Sequence, residues 1–374
     1  MPGAGHCPGM RDTDFEAAYV TVRLGAIAEN FRTYQRLAGP AAVAGVIKAD
    51  AYGLGADFVA PALAAAGCDT FFVARLEEAT ALRRALKDRA TRIFLLDGAP
   101  PDTVPALIAH HITPVLNSLS EIAGWNAAAA TARRNLDAAI HIDTGMNRLG
   151  LPGEELSVLA GEWKTRLKNI NLVLLMSHLA TGDEPNSKMN DEQLSRFRTA
   201  LAMLPPAPAS LAASGGSFLG KPYWFDLVRP GIGLWGGAPQ EGGKSMKTVA
   251  VLTGRVLQLR RIDSGQSVGY AATFRAKRPT MIATVAPGYA AGIPRTLSNK
   301  GVAFAAGKRV PFAGRVSMDM IGMDFSEVAA KVGDRVELLG DHVTLEEVAA
   351  LAGTNAYEIL TGLRLPRHYT DAAS

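Results

Sequence analysis

The chain has 374 residues, 48% of them hydrophobic and 20% charged, a length that suits two domains, or one barrel with an appendage, better than one ordinary core. Its 39 basic and 35 acidic residues leave a net charge of +4 without a lysine or arginine block, which argues against nucleic acid as a partner and is compatible with an anionic small molecule. Cys7 and Cys68 give neither a disulfide framework nor a metal-finger spacing, and no apolar run approaches the ~18 residues of a membrane span. The opening "MPGAGHCPGMRDTDF" lacks a basic-then-apolar signal. A cytoplasmic protein with no membrane partner and no metal site is expected.

Residues 1–14 read as a disordered tail. Next comes a strand near 17–22, which could pack with a later β domain. Apolar β-type runs then recur at 43–49, 70–74, 92–96, 112–116, 138–142, 172–177, 209–213 and 225–229. Helix-period stretches separate them, among them 74–88, 119–134 and 190–204. The runs are continuously apolar rather than alternating, as parallel strands covered on both faces should be. Eight strand–helix units predict an α/β fold, a (β/α)8 TIM-type barrel over 15–243, with a doubly wound sheet as the alternative. Beyond "GGAPQEGGKS" (236–245) the texture turns β-rich with interspersed turn residues, which predicts a C-terminal mainly-β domain over 244–374. A last helix over 344–353 opens with a capping-box pair, Thr344 and Glu347.

In a barrel the rim at the strands' carboxyl ends carries the chemistry. "AGVIKADAYGLG" brings Lys48 there, and an amine held partly out of water can have a lowered pKa and act as a covalent nucleophile. "HIDTGMNRLG" adds His141, Asp143, Asn147 and Arg148 after strand five, and "MSHLATGD" adds His178 after strand six. "AASGG" supplies Ser214 after strand seven, and "VRPGIGLWGG" supplies Arg229, Gly231, Ile232 and Gly233 after strand eight. Glycines and a hydroxyl at the last two strands suit a phosphate, which backbone N–H groups must approach closely. A lysine at one side and a phosphate cup at the other fit pyridoxal phosphate. Two patterns carry less. Gly231 to Gly236 matches G-x-G-x-x-G without the βαβ unit that would give it meaning. "GSFLGKP" has Pro222 where a P-loop needs Ser or Thr. His110 and His111 read as surface residues.

The ordered set "VIKADAYGLG", "DTGMNRLG", "SHLA", "VRPGIGLWGG", "VGYAATF", "PGYAAGIPR", "GRVSMD" and "YEILTGLRLPRHY" resembles the alanine racemases of the pyridoxal-phosphate barrel class, from about residue 17 to 370. The resemblance implies a homodimer with shared active sites that interconverts L- and D-alanine. Lys48 would bind the cofactor and serve as the base on one face. Tyr270, from the other subunit, would be the base on the opposite face, with His178, bonded to both Tyr270 and Arg229, as the relay for its proton. Arg229 would face the pyridine nitrogen, where aminotransferases and related decarboxylases place a carboxylate. Tyr52, Ser214, Gly231, Ile232 and Tyr357 would hold the phosphate. Arg148 and the Met318 N–H would bind the substrate carboxylate, with Asp319 supporting that loop, and Tyr289 with Tyr357 would narrow the channel. The chain departs from the family pattern at four positions. His141 stands where many relatives carry a carbamylated lysine that bonds the Arg148 position, Ala213 replaces an asparagine, Ala291 an aspartate and Trp235 a tyrosine. The product could feed peptidoglycan or catabolism. A racemase of broader specificity, acting for example on serine, and a non-catalytic pyridoxal-phosphate protein are the alternatives.

Overall fold

The computed structural model describes residues 15–87, 90–243 and 246–373. The tail expected over 1–14 and two linker residues, Lys244 and Ser245, lie outside them. The chain divides into two compact units, Leu24–Lys247 and the strand-rich Thr248–Asp371 together with the strand Ala18–Arg23.

The first unit is a closed parallel barrel. Seven strands pair in chain order: Gly45–Val46, Thr70–Val73, Arg92–Leu95, Thr113–Leu116, Leu136–His141, Ile170–Met176 and Ala209–Ser210. Leu227–Val228 closes the ring against Ala42–Val43, with Ala44 N–H donating to Val228 O and Val46 N–H to Pro230 O. On the other side, Asp226 N–H donates to Ala209 O and Arg229 N–H to Ala212 O. The barrel reading of the sequence therefore holds, and the doubly wound alternative does not. Its interior takes Ala44, Phe72, Phe94, Val115, Ala139, Leu174, Met176 and Leu227, with Phe72 and Phe94 stacked 4.7 Å apart. Thr70–Val73 is buried at all four positions, the pattern of a strand covered on both faces. Each large side chain so buried contributes about 1.5–3 kcal/mol.

Strand ends differ from the expected ones in an informative place. The run 43–49 reads as one strand in the sequence, yet pairing stops at Val46. Lys48 instead opens a turn in which Ala49, Asp50, Ala51 and Tyr52 all have φ between 53° and 57°. Side-chain hydrophobicity carries no record of that backbone sign.

Glutamates stitch neighbouring strand–helix units together at the rim. Glu78, in the first turn of the helix Leu76–Leu86, accepts from Ala74 and Arg75 N–H of its own unit and from Ala49 N–H of the preceding one. Glu121, opening the helix Leu119–Thr131, accepts from Asn117 N–H and from Ala99 N–H of the preceding unit. Glu155, on the helix Gly153–Arg166, reaches back to Leu119 N–H at 2.7 Å. A Cβ on Gly98 would lie 2.3 Å from the Glu121 carboxylate, so the second stitch requires glycine there.

In the second unit the sheet runs Lys308–Pro311, Val302–Ala305, Arg335–Leu339, Ala250–Ile262, Ala18–Arg23 and Arg367–Thr370. Thr280–Val285 pairs with the far half of Ala250–Ile262 and with Ile321–Asp324. The long strand is buried at every other residue over its first half, the alternation of a sheet with one covered face. The helix Leu345–Ala352 begins as the sequence predicts, Thr344 Oγ1 accepting from Glu347 N–H. The Glu347 carboxylate, however, pairs with Arg309. Among the described residues no helix is long and apolar enough to cross a membrane.

Candidate active site

The barrel rim gathers Lys48, His141, Arg148, His178 and Arg229. Lys48 leaves the first strand one residue after buried Ile47, and the left-handed turn that follows is held at both ends. Glu78 takes Ala49 N–H at 2.5 Å. Asp50 Oδ1 takes Ala56 N–H at 2.7 Å, and Asp50 O takes Gly55 N–H. Burial lowers the Lys48 pKa below the ordinary lysine value; the charge of Arg148 adds to the shift, and Glu78 and Asp97 oppose it.

Arg229 is only 3% exposed and bonds neutral groups. Its Nη1 donates to Ser210 Oγ, and Nη2 donates to Ser177 O at 2.6 Å and makes a longer contact, 3.4 Å, with His178 Nδ1. Its guanidinium lies 5.8 Å from the centre of the Phe72 ring. Burial pulls its pKa down to about 9, which leaves it charged at neutral pH. His178 is held near pKa 3 by burial first, then by Arg229, Arg148, His141 and Lys48, so it stays neutral. His141 is held near 4 by burial and Arg229, with Asp143 pulling the other way. Its Nδ1 lies 2.9 Å from Asn117 Oδ1. Asn117 Nδ2 donates to Leu96 O and Val115 O, which fixes Oδ1 as an acceptor. The proton is therefore assigned to His141 Nδ1, and Nε2 carries the lone pair.

Arg148 rides on a loop that Asp143 organises, its Oδ1 accepting from the N–H groups of Gly145, Met146 and Asn147. The loop returns to strand five through Leu151 N–H to His141 O and Asp143 N–H to Leu151 O.

At strands seven and eight, Ser214 Oγ accepts from Gly231 N–H at 2.8 Å and Gly233 N–H at 3.2 Å. A Cβ on Gly231 would lie 2.4 Å from the Tyr52 hydroxyl, so only glycine allows the tyrosine to reach this cup. Tyr52 is buried, with Trp235 5.8 Å away. Convergent amides and hydroxyls here and a desolvated amine just after strand one match an aldehyde that carries a phosphate.

Tyr270, Tyr289, Met318, Asp319 and Tyr357 belong to the second unit. All five are open to solvent, Tyr270 at 71%, Met318 at 54%, Tyr357 at 44% and Tyr289 at 41%. Tyr289 and Met318 are tied together, Tyr289 N–H donating to Ser317 O and Ala290 N–H to Met318 O. The Asp319 carboxylate makes no hydrogen bond among the described residues. Main-chain bonds hold its loop instead, including Ser317 N–H to Met320 O. A cleft of about 380 Å³ opens beside them, bordered by Pro287, Ala290, Ala291, Met318, Asp319 and Arg364.

Residues 22–239 match the family model for the alanine racemase N-terminal domain, and 249–369 match that for its C-terminal domain. The chain belongs to the alanine racemase family. It is 48% identical over 351 residues to a catabolic alanine racemase of Agrobacterium fabrum, covering 93% of this chain and 90% of that one. It is 46% identical over 361 residues to an alanine racemase of Brucella abortus, covering 92% and 91%. A crystal structure of alanine racemase from Bartonella henselae with covalently bound pyridoxal phosphate superposes with a TM-score of 0.91 at 41% identity, covering 95% of this chain and all of that one. The biosynthetic alanine racemase of Pseudomonas aeruginosa gives 0.89 at 34% identity, with the same coverage.

Several residues of this racemase rim escape a reading of the sequence. Glu78 and Glu121 look like ordinary first-turn acids, and only the fold shows which neighbouring loops they reach. Asn117 and Ser210 are short polar residues at strand ends with no motif of their own. Tyr34 is fully buried on the helix Leu24–Ala38, with Gly233 packed so closely against it that a Cβ there would lie 2.0 Å from the Tyr34 hydroxyl. It backs the cup, and nothing in the local sequence points to it.

Proposed function

We propose that this chain interconverts L- and D-alanine, using pyridoxal phosphate and two bases on opposite faces of the substrate. Pyridoxal phosphate, when bound, supplies the electron withdrawal that acidifies the α-carbon. Lys48 carries it and exchanges the proton on one face. Burial and the charge of Arg148 hold this amine below the usual lysine range, so its neutral, basic form is accessible. Ser214, Gly231, Ile232 and Tyr52, with Tyr357, receive the phosphate.

Tyr270 serves the other face; His178, held neutral and in contact with the Arg229 guanidinium through Nδ1, links that charge to the Tyr270 hydroxyl by hydrogen bonds and so favours the basic form of the tyrosine. Arg148 and the Met318 N–H bind the substrate carboxylate. The Nδ1–H tautomer of His141 leaves its Nε2 lone pair to receive Arg148, the task that a carbamylated lysine performs in many relatives. Tyr289 and Tyr357 restrict the channel to a small side chain. Tyr270 and Met318 act on the barrel of a second copy, which makes the working form a homodimer. Their exposure in a single chain supports this, because both are large apolar groups left uncovered.

The observation that carries the reading is Arg229. A buried cation bonded to Ser210, Ser177 and His178 does not give up its proton at neutral pH, so a pyridine nitrogen set against it would stay unprotonated. Electron withdrawal is thereby limited, which favours return of a proton to the α-carbon over aminotransfer. Relatives named as catabolic and as biosynthetic both resemble the chain; a racemase runs toward the same equilibrium in either setting.

The test is purified protein with L-alanine in deuterated water, followed by chiral separation and mass measurement. D-alanine bearing deuterium at the α-carbon is expected. Absence of both D-alanine and deuterium would contradict the proposal.

A further inference from the structure

Four consecutive non-glycine residues, 49–52, sit in the left-handed region immediately after Lys48. Each L-residue there is disfavoured, so the turn persists only where surrounding bonds determine it. Inside the turn the main chain supplies Ala51 N–H to Ile47 O and Leu54 N–H to Ala51 O. The N–H of Ala49, the first residue to change hand, goes instead to Glu78 Oε1. Glu78 is not a free side chain recruited for this purpose alone. Its other oxygen takes Ala74 and Arg75 N–H at 2.9 and 3.0 Å, which anchors the carboxylate to the end of the second barrel strand and the start of its helix.

We propose that Glu78 is a positioning residue for Lys48: by gripping Ala49 N–H with one oxygen and the second strand–helix junction with the other, it fixes the point where the chain turns left-handed, and so the direction in which Lys48 leaves the barrel. The inference rests on the proposal that Lys48 carries the cofactor. Its negative charge also opposes the burial that depresses the Lys48 amine, so one group sets both direction and local field. The two-oxygen requirement makes it specific to a carboxylate. Glutamine offers one acceptor oxygen, so it can serve the helix start or Ala49 but not both.

The test uses the loaded enzyme and two readouts beyond turnover: the rate at which pyridoxal phosphate is lost on buffer exchange, followed by its visible absorbance, and the thermal midpoint. Glu155→Gln is the control, because Glu155 makes a stitch of the same kind to Leu119 N–H and touches none of the residues assigned to the site. In Glu78→Gln, cofactor loss about tenfold faster is expected, as befits a lost charge-assisted hydrogen bond, with kcat reduced and KM for alanine changed less than kcat. Glu155→Gln should lower the midpoint comparably and leave cofactor loss within twofold of the parent. If Glu78→Gln does not fold, Glu78→Asp, which keeps the charge but is one methylene too short to span both junctions, gives the same readout. Retention equal to the parent in a Glu78 variant would overturn the proposal, and so would equal loosening in Glu155→Gln. Failure of the underlying reading looks different: borohydride reduction and mass mapping would then find the cofactor on a lysine other than Lys48.

Discussion

The two units present their chemistry in opposite ways. On the barrel rim Arg229, His141 and His178 are withdrawn from solvent, bonded and electrostatically displaced, with Arg148 the exposed exception: Arg229 is 3% exposed with its donors committed, and His141 and His178 are kept neutral by burial and nearby cations. In the β unit the corresponding groups stand in solvent, with Tyr270 71% exposed and Met318 54%. Even the histidines contrast. His342 and His368 of the β unit face the carboxylates of Glu337 and Glu16, whereas those of the rim face arginines. The difference teaches that the barrel half is set by folding alone, while the β half is a preformed surface whose function, in the dimer proposed above, comes with association.

That contrast can be broken by substitution. Tyr270→Phe removes one hydroxyl from an exposed side chain, so stability should stay within about 0.5 kcal/mol of the parent. Turnover should fall by about 10²–10⁴, the usual worth of a lost acid–base group. Denaturant melts and steady-state rates on one preparation read both, and retained turnover would remove Tyr270 from the mechanism. The cofactor should still bind, since its proposed covalent site lies in the other unit.

Acid should act on the barrel half first. An unfolded histidine takes up a proton near pH 6.5, but folded His141 and His178 resist until about 4 and about 3. The unfolded state therefore binds more protons as pH falls from 6.5 toward 4, and stability declines across that window, by up to about 1.4 kcal/mol per pH unit for each histidine. Urea midpoints measured from pH 7 to pH 4 should slope downward, less steeply in His178→Asn. A slope unchanged in that variant would mean the imidazole is not held neutral by the fold.

The smallest effect belongs to a cap far from the chemistry. Thr344→Ala loses the bond from Glu347 N–H and should cost about 1 kcal/mol without altering kcat or KM. A change in kcat would mean that the β unit's helix and its site loops are coupled.

The sequence made the barrel and its chemical groups legible, because continuous apolar runs and strand-end motifs are local signals. "VIKADAYGLG" announces Lys48 and Tyr52, and "VRPGIGLWGG" announces Arg229 and the cup. What it did not reveal depends on backbone sign or on distance in the chain. The run 43–49 is apolar enough for a strand, yet the chain turns left-handed at Ala49 because of a bond from Glu78, 29 residues away. Asn117 sets the His141 tautomer across 24 residues, and no spacing rule links them. Asp319 was expected to steady the Met318 loop, but main-chain bonds do that work. Such partners become visible only when the strands that separate them are adjacent.

The central claim is that Lys48 of one copy works with Tyr270 of another, and subunit mixing tests it most directly. Lys48→Ala and Tyr270→Phe chains, each nearly inactive alone, are unfolded together, refolded with pyridoxal phosphate and assayed for alanine racemisation. The account predicts that activity returns on mixing, because one site of each mixed dimer regains both an intact Lys48 and an intact Tyr270. If mixed dimers form, shown by differential tagging, and remain as inactive as their parents, the site lies within a single chain and the claim fails.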